Sequence, residues 1–373
     1  MTSLIDRYIA KQYLLSILAL YVILFSFVVT IDVSINIDWF WRLAGERDAP
    51  DGDAGLVRQS IVTALLIADF WWPKLLQLFN LMLGLVLTGA MGFTCIQIVR
   101  NRELVAVLAS GQSLYRIARP ILIIAGVMTI LAGLNQELVI PRIAPLLARE
   151  HDQAGLRHVA MARIPLVRDN KDRLWYAQAF DPGTRTLTEF DIIERNELGV
   201  GTTRITGHHA EWDGQAWVCD NATVEALGDA GTTQVGVPIR IETDLDPVVL
   251  VIRRFASYSN NLSWRQLSQL QKQTRSGDKH IRDRLIRTQF GRISVAMTNL
   301  ISLVLVMPFF IVRMPVNLAA QSLKGALVGV VALIGGTIGA TAPVAGVSPM
   351  ASVFLPVIVL LPMTVAMVMN PKT

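Results

Sequence analysis

Residues 12–31 read QYLLSILALYVILFSFVVTI, with no charge between Lys11 and Asp32. About 20 mostly apolar helical residues cross the hydrocarbon core of a bilayer, so this stretch alone is long enough to span one. It exceeds the apolar core of a secretory signal, about 7–15 residues, and no small-x-small cleavage site follows it. It reads as a retained membrane helix.

Other uncharged runs lie between Lys74 and Arg100, between Arg119 and Glu137 with room to extend through Leu138-Val139-Ile140, and between Arg292 and Arg313. No charge occurs between Lys324 and Lys372. That run is too long for one span, and Pro343, Gly346 and Pro349 divide it into helices over roughly 325–342 and 350–369. Six membrane helices are expected. A chain that is 52% hydrophobic and 17% charged, with positive mean hydropathy, is too apolar to be water-soluble at this length. Trp39, Trp41, Trp71 and Trp72 fall just beyond the first two runs, where aromatic residues anchor helices at the membrane interface.

The distribution of charge orients the chain. Arg100, Arg102, Arg116 and Arg119 stand against Glu103 between the second and third runs, whereas residues 32–74 hold seven acids and four bases. The positive-inside rule therefore places the N-terminus and residues 100–119 in the cytoplasm and the segment between helices three and four outside. Residues 253–292 carry ten Arg or Lys against Asp278 and Asp283, counter to that orientation. Long translocated domains escape the rule, and the orientation is kept.

The expected order is transmembrane helices 1–3 over residues 1–141, an outer β domain over 142–255, an amphipathic helical linker over 256–290, and helices 4–6 over 291–373. In the β domain, Leu174–Phe180 and Leu187–Ile193 flank a turn at Asp181-Pro182-Gly183. Ile205–Trp212 and Ala216–Leu227 flank the hairpin signal Asp213-Gly214-Gln215. These strands indicate a sandwich or jelly-roll-like pair of sheets. From Ser263 the spacing of Leu267, Leu270, Ile281, Leu285 and Ile286 is helical and amphipathic, as for a helix on the membrane surface. Three helices before the insertion and three after it suggest a duplication, but the halves share no sequence similarity.

Several chemistries are excluded. The chain has no Walker A pattern, so it binds no nucleotide in the P-loop manner, and Leu108–Ser113 only superficially matches the signature loop of ABC ATPases. His151, His158, His208, His209 and His280 lack metal-ligand spacing, and adjacent His208 and His209 point to opposite faces of a strand. No G-x-S-x-G elbow is present, and the uncharged runs offer no catalytic groups, which argues against an enzyme. The same runs offer no ionisable group for an ion-coupled carrier. Cys95, in the second run, and Cys219, in the β domain, are not expected to pair.

The most informative stretch is Asn101–Pro120, NRELVAVLASGQSLYRIARP. It predicts a short cytoplasmic helix over about 101–113, with Leu104, Val107 and Leu108 on one side, Gly111 at its end and Ser113 able to cap the next helix. An amphipathic loop helix lying on lipid fits the physics equally well. Glu103, Ala106, Gly111, Ser113, Arg116 and Pro120 follow the pattern E-x-x-A-x-x-x-x-G-x-S-x-x-R-x-x-x-P, which resembles that of the LptF/LptG family of lipopolysaccharide-export permeases. Leu4–Ile9 resembles the family's opening, Asn135–Pro141 its exit from helix three, and Ala210–Gly214 with Trp217 its β strands. Leu262–Leu267 and Arg292 through Pro308-Phe309 extend the resemblance over nearly the whole chain.

The resemblance implies a membrane α-helical fold with an inserted periplasmic, jelly-roll-like β domain between helices 3 and 4, in a multi-pass protein of the bacterial inner membrane. It implies the permease half of an ABC transporter, without its own cofactor, in which ATP is bound by a cytosolic LptB-type ATPase dimer. The other implied partners are a second LptF/LptG-type permease, a periplasmic jelly-roll bridge protein, and lipopolysaccharide or a related glycolipid; nucleic acid is not among them. Glu103, Leu104, Val107, Leu108 and Gly111 are the expected ATPase-coupling residues. Arg253, Arg254, Arg282, Arg284 and Arg287 lie near the outer interface, where guanidinium groups would meet lipid phosphates, although a solvated helical face accounts for them equally. Asp32, Asp38 and Arg42 stand where LptG-type members are expected to carry basic residues, which leaves the choice of paralogue open. The competing class is a membrane-anchored scaffold or receptor. Gly325, Gly329, Gly335, Gly336 and Gly339 in helix five argue against plain anchoring, because small residues permit close or movable helix contacts.

Overall fold

The computed structural model describes residues 4–48, 56–111, 115–147, 164–181, 184–196, 199–227, 233–247, 250, 259–273, 279–310, 318–344 and 346–369. The chain divides into two compact units, one of residues 1–155 with 262–373 and one of residues 156–261. Six helices among the described residues are long and apolar enough to cross a membrane.

In the first unit, α1 (Leu4–Asp48) and α2 (Leu56–Arg100) have 45 residues each. At 1.5 Å per residue each is about 68 Å long, roughly twice the hydrocarbon thickness. The expected loop from Asp32 to Lys74 is instead mostly helical. Its polar groups are satisfied along the helix pair: Asn36 Nδ2 donates to Asp32 Oδ1 at 3.1 Å, and Trp71 Nε1 donates to Asp32 Oδ2 at 3.1 Å. Phe40, Ala44 and Phe70 close a small core beside them, and Lys74 Nζ stands 3.4 Å from the centre of the Phe70 ring. Trp71 is therefore buried inside the helix pair and is not an interfacial anchor.

After the short α3 (Glu103–Ala109), α4 (Tyr115–Leu134) passes through a π-helical turn at Asn135–Val139 into α5 (Ile140–Leu147). Helix three thus runs beyond the expected boundary at residue 141. On the far side of the insertion come α6 (Trp264–Gln273), α7 (Lys279–Phe310), α8 (Leu318–Thr341) and α9 (Pro349–Met369). Residues 279–290 are the first turns of helix four rather than part of a separate surface linker. Gln289 holds them to α6, donating to Ser268 Oγ at 2.9 Å and accepting from Gln271 Nε2 at 2.7 Å.

Tyr13, Ile17, Leu87, Met91, Ile121, Leu303 and Val306 form the core of this unit, shared by α1, α2, α4 and α7. The buried Tyr13 hydroxyl donates to the Leu87 carbonyl at 3.0 Å, so the side chain brings no unsatisfied polar group into the bundle. The helix-five glycines set the closeness of the remaining helices. A Cβ at Gly336 would lie 2.2 Å from Thr298 Cγ2, and one at Gly339 2.5 Å from Pro356 Cγ. Gly336→Val is accordingly expected to destabilise the bundle by about 1–3 kcal/mol. Thermal unfolding in detergent checks this, and an unchanged midpoint would show that α7 and α8 separate at no cost.

The described residues of the second unit form six strands: β1 (Ile164–Arg168), β2 (Leu174–Asp181), β3 (Thr186–Arg195), β4 (Gly201–Trp212), β5 (Ala216–Ala226) and β6 (Thr233–Glu242). They form one antiparallel sheet in sequence order. The inserted all-β domain is present, and its described strands build a single meander in place of a pair of facing sheets. Trp175, Phe180, Leu187, Phe190, Ile192, Trp217 and Ile241 form its core together with Leu245 and Leu250. The Phe190 ring lies over Gly207, where a Cβ would come within 2.6 Å of it. Trp217 Nε1 donates to the Leu245 carbonyl at 2.8 Å, which ties the segment after β6 to the core. Cys95 and Cys219 are buried, unpaired and in different units.

Candidate functional site

The chain turns from α2 into α3 through Asn101 and Arg102, and Arg102 takes the left-handed conformation at φ 59°. A non-glycine residue held there marks a constrained turn. The turn fixes the start of α3, where Glu103 Oε1 accepts hydrogen bonds from Tyr8 Oη at 3.0 Å and Asn101 Nδ2 at 3.2 Å. Nearby, Arg116 lies 3.8 Å from Asp6, so both flanks of α3 are linked to the first turns of α1.

The two sides of α3 differ. Leu104 and Val107 are buried in the core of the helical unit. Among the expected coupling residues, these two therefore anchor the helix from within and are not available to a partner. Val105 is 65% exposed, and Ala106, Ala109 and Gly111 are also exposed. The Leu108 side chain lies outside the described residues. Gly111, at φ 75°, follows the helix in the left-handed conformation that ends helices. The accessible surface of α3 is thus small and apolar, with the Glu103 carboxylate at its start.

Of the basic residues expected to meet phosphates, Arg253 and Arg254 lie outside the described residues. Arg282 and Arg284 are exposed on the first turns of α7, and Arg287 is half-buried. The Arg287 Nε is fully buried without a hydrogen-bond partner among the described residues. These three do not converge with the coupling residues. They lie on α7, whereas Glu103 and its neighbours belong to the turn between α2 and α4.

A second polar centre was missed from the sequence because its members are far apart in the chain. Glu137, on the π turn, meets Arg292 of α7 with Oε1 and Nη1 at 2.9 Å. The other Glu137 oxygen accepts the backbone N–H of Trp264 at 2.7 Å, and Arg292 Nη2 donates to the Leu262 carbonyl. Asn135 Nδ2 donates to the Leu76 carbonyl at 2.9 Å and to Asn80 Oδ1 at 3.1 Å, while Asn80 Nδ2 donates to Gln136 Oε1 at 3.0 Å. Glu137 ends the third uncharged run and Arg292 begins the fourth, each on a helix long enough to cross a membrane. The only signal in the sequence was the pair of polar landmarks that end the third run and begin the fourth.

An apolar cleft of about 220 Å³ opens between α2, α7 and α8, lined by Leu85, Gly89, Phe93, Val306, Phe310 and Val330 among others. Among the described residues no cluster of His, Cys, Asp or Glu has the makings of a metal site. His208 and His209 are engaged separately, by Glu189 and by Glu211.

Compared with known families, residues 57–370 match the model described as lipopolysaccharide export system permease LptF/LptG. The match runs from α2 through the β sheet to the end of α9. No curated protein matches the chain.

Proposed function

Since the chain belongs to the LptF/LptG family of lipopolysaccharide export permeases, we propose that it is the membrane subunit of an ABC transporter that lifts lipopolysaccharide, or a related glycolipid, out of the inner membrane toward the outer membrane. The chain is a multi-pass inner-membrane protein. In the proposed orientation α3 faces the cytoplasm and the β sheet faces the periplasm. A cytosolic ABC ATPase dimer supplies the energy and docks on α3, a second permease of the same family completes the membrane part, and a periplasmic jelly-roll protein receives the lipid from the sheet.

The observation that carries this reading is the family match across both helical blocks and the β insertion together. A plain anchor would need neither a short helix set between two spans nor glycines that let helices five and six approach to contact distance. The α3 helix suits a docking role: its buried side is fastened to the bundle, so a push on its exposed side is passed to α1, α2 and α4 rather than absorbed by a loose loop. Arg282, Arg284 and Arg287 would stand at the outer interface, positioned for phosphates of the lipid.

The test is co-purification from the native membrane. The proposal expects a cytosolic ABC ATPase to be recovered in stoichiometric amount with the wild-type chain. Recovery of the chain with periplasmic proteins and no ATPase would replace it with the scaffold reading.

A further inference from the structure

Glu137 and Arg292 close a ring that the export reading does not use. Glu137 holds Arg292 and the Trp264 N–H, while Arg292 holds Glu137 and the Leu262 carbonyl. Leu262 is the first residue of the helical unit after the β unit ends at residue 261. The segment on which the chain returns is thus gripped at two backbone groups, one by helix three and one by helix four.

The surroundings hold this ring from both sides. Asn135 and Gln136, on the same π turn as Glu137, are fastened to α2 through Asn80 and the Leu76 carbonyl. On the helix-four side, the Trp264 ring packs edge-on against Phe290 at 5.4 Å between centroids. A π turn is a wide turn inside a helix and recurs where a helix must adjust at a functional site.

We propose that Glu137 and Arg292 are a positioning pair that ties the segment returning from the β unit to helices three and four, so that a shift between those helices is passed to that segment. The inference rests on the proposed coupling to an ATPase for the source of the shift, but not for the tie itself. A shift of helix three against helix four that keeps the Glu137–Arg292 contact carries residues 262–264 with it, because each partner also holds a backbone group of that segment.

Spin labels at exposed Val127 on α4 and Gln269 on α6 test this in the full-length chain, with E137Q, R292Q and the charge swap Glu137→Arg with Arg292→Glu. In the chain alone, the wild type and the swap should give one narrow distance distribution, and each single variant a broad one. In the complex with its ATPase, ATP should shift the distance in the wild type and the swap. The single variants should hydrolyse ATP at rates within about twofold of wild type while losing the shift, a loss of coupling of about tenfold or more. Narrow distributions in both single variants, or a swap that behaves as a third defective variant, would overturn the tie. Failure of any ATPase to associate with the wild type would count against the export reading alone, because the distributions in the isolated chain still decide the inference.

Discussion

Asp169→Asn is expected to destabilise the β unit by about 3–5 kcal/mol, the cost of breaking a buried ion pair by removing one partner. Asp169 is fully buried, and Arg173, 2.7 Å away, is 8% exposed. Both carboxylate oxygens are in use: Oδ1 accepts the backbone N–H groups of Lys171 and Arg173, and Oδ2 accepts Arg173 Nε, Trp175 Nε1 and Thr243 Oγ1. Arg173 reaches on to the Glu242 carbonyl and so links the β1–β2 turn to the end of β6. An Asn at this position would leave the buried guanidinium only the longer pairing with Glu194, at 3.7 Å, and would turn an N–H₂ group toward donors.

The same site predicts a dependence on pH. Burial pushes the Asp169 carboxyl upward, but the hydrogen bonds and charge of Arg173 outweigh it and hold the group below its ordinary value of 3.8. A carboxyl depressed in the folded state contributes stability that is fully present above 3.8 and is lost as pH falls through the folded value. The sheet should therefore loosen in acid below that point, and Asp169→Asn should remove the dependence. Hydrogen exchange of peptides from β1, β2 and β6 reads both effects. Equal protection in the variant and the wild type would show that the pair contributes nothing net.

The proposed docking on α3 pairs Glu103 with a basic residue of the ATPase, and on that proposal Glu103→Arg is expected to reduce recovery of the ATPase by roughly thirtyfold or more, since truncating or reversing one member of a desolvated charge pair at an interface costs about 2–5 kcal/mol. The helix itself should survive, because Leu104 and Val107 still hold it in the bundle. Glu103→Gln separates charge from shape. It can still accept from Tyr8 and Asn101 but offers no charge to a basic residue of the partner, and should give an intermediate loss. ATPase recovery unaffected by Glu103→Arg would move the docking contact to another part of the exposed surface.

The helical framework was legible because a bilayer imposes one length on every span. The helices at Leu318–Thr341 and Pro349–Met369 lie close to the runs divided at Pro343, Gly346 and Pro349. The extensions of α1 and α2 were not legible. Asp32 and Lys74 look like span ends, and only the packing of the two helices on each other shows how charges there are satisfied. In the sheet, β2 to β5 followed from alternation and turn residues. β6 was hidden by Gly236 and Pro238, which weaken a strand reading, and Pro238 is tolerated because β6 is the edge strand of the described sheet.

The candidate site was legible in part. The position of α3 and its terminating glycine followed from local spacing. Amphipathicity gave the apolar side of α3 but not its destination, and Leu104 and Val107 turn into the bundle. The hydrogen bond from Tyr8 to Glu103 and the pair Glu137–Arg292 join residues separated by 95 and 155 positions. No local pattern reports such contacts.

The most direct measurement is release of lipopolysaccharide from proteoliposomes that contain the chain, its ATPase and its sister permease, with a soluble periplasmic acceptor outside. The export reading predicts release that requires ATP and stops when Glu103→Arg prevents the ATPase from docking. ATP hydrolysis by a fully assembled complex with no more release than in the absence of ATP would contradict it.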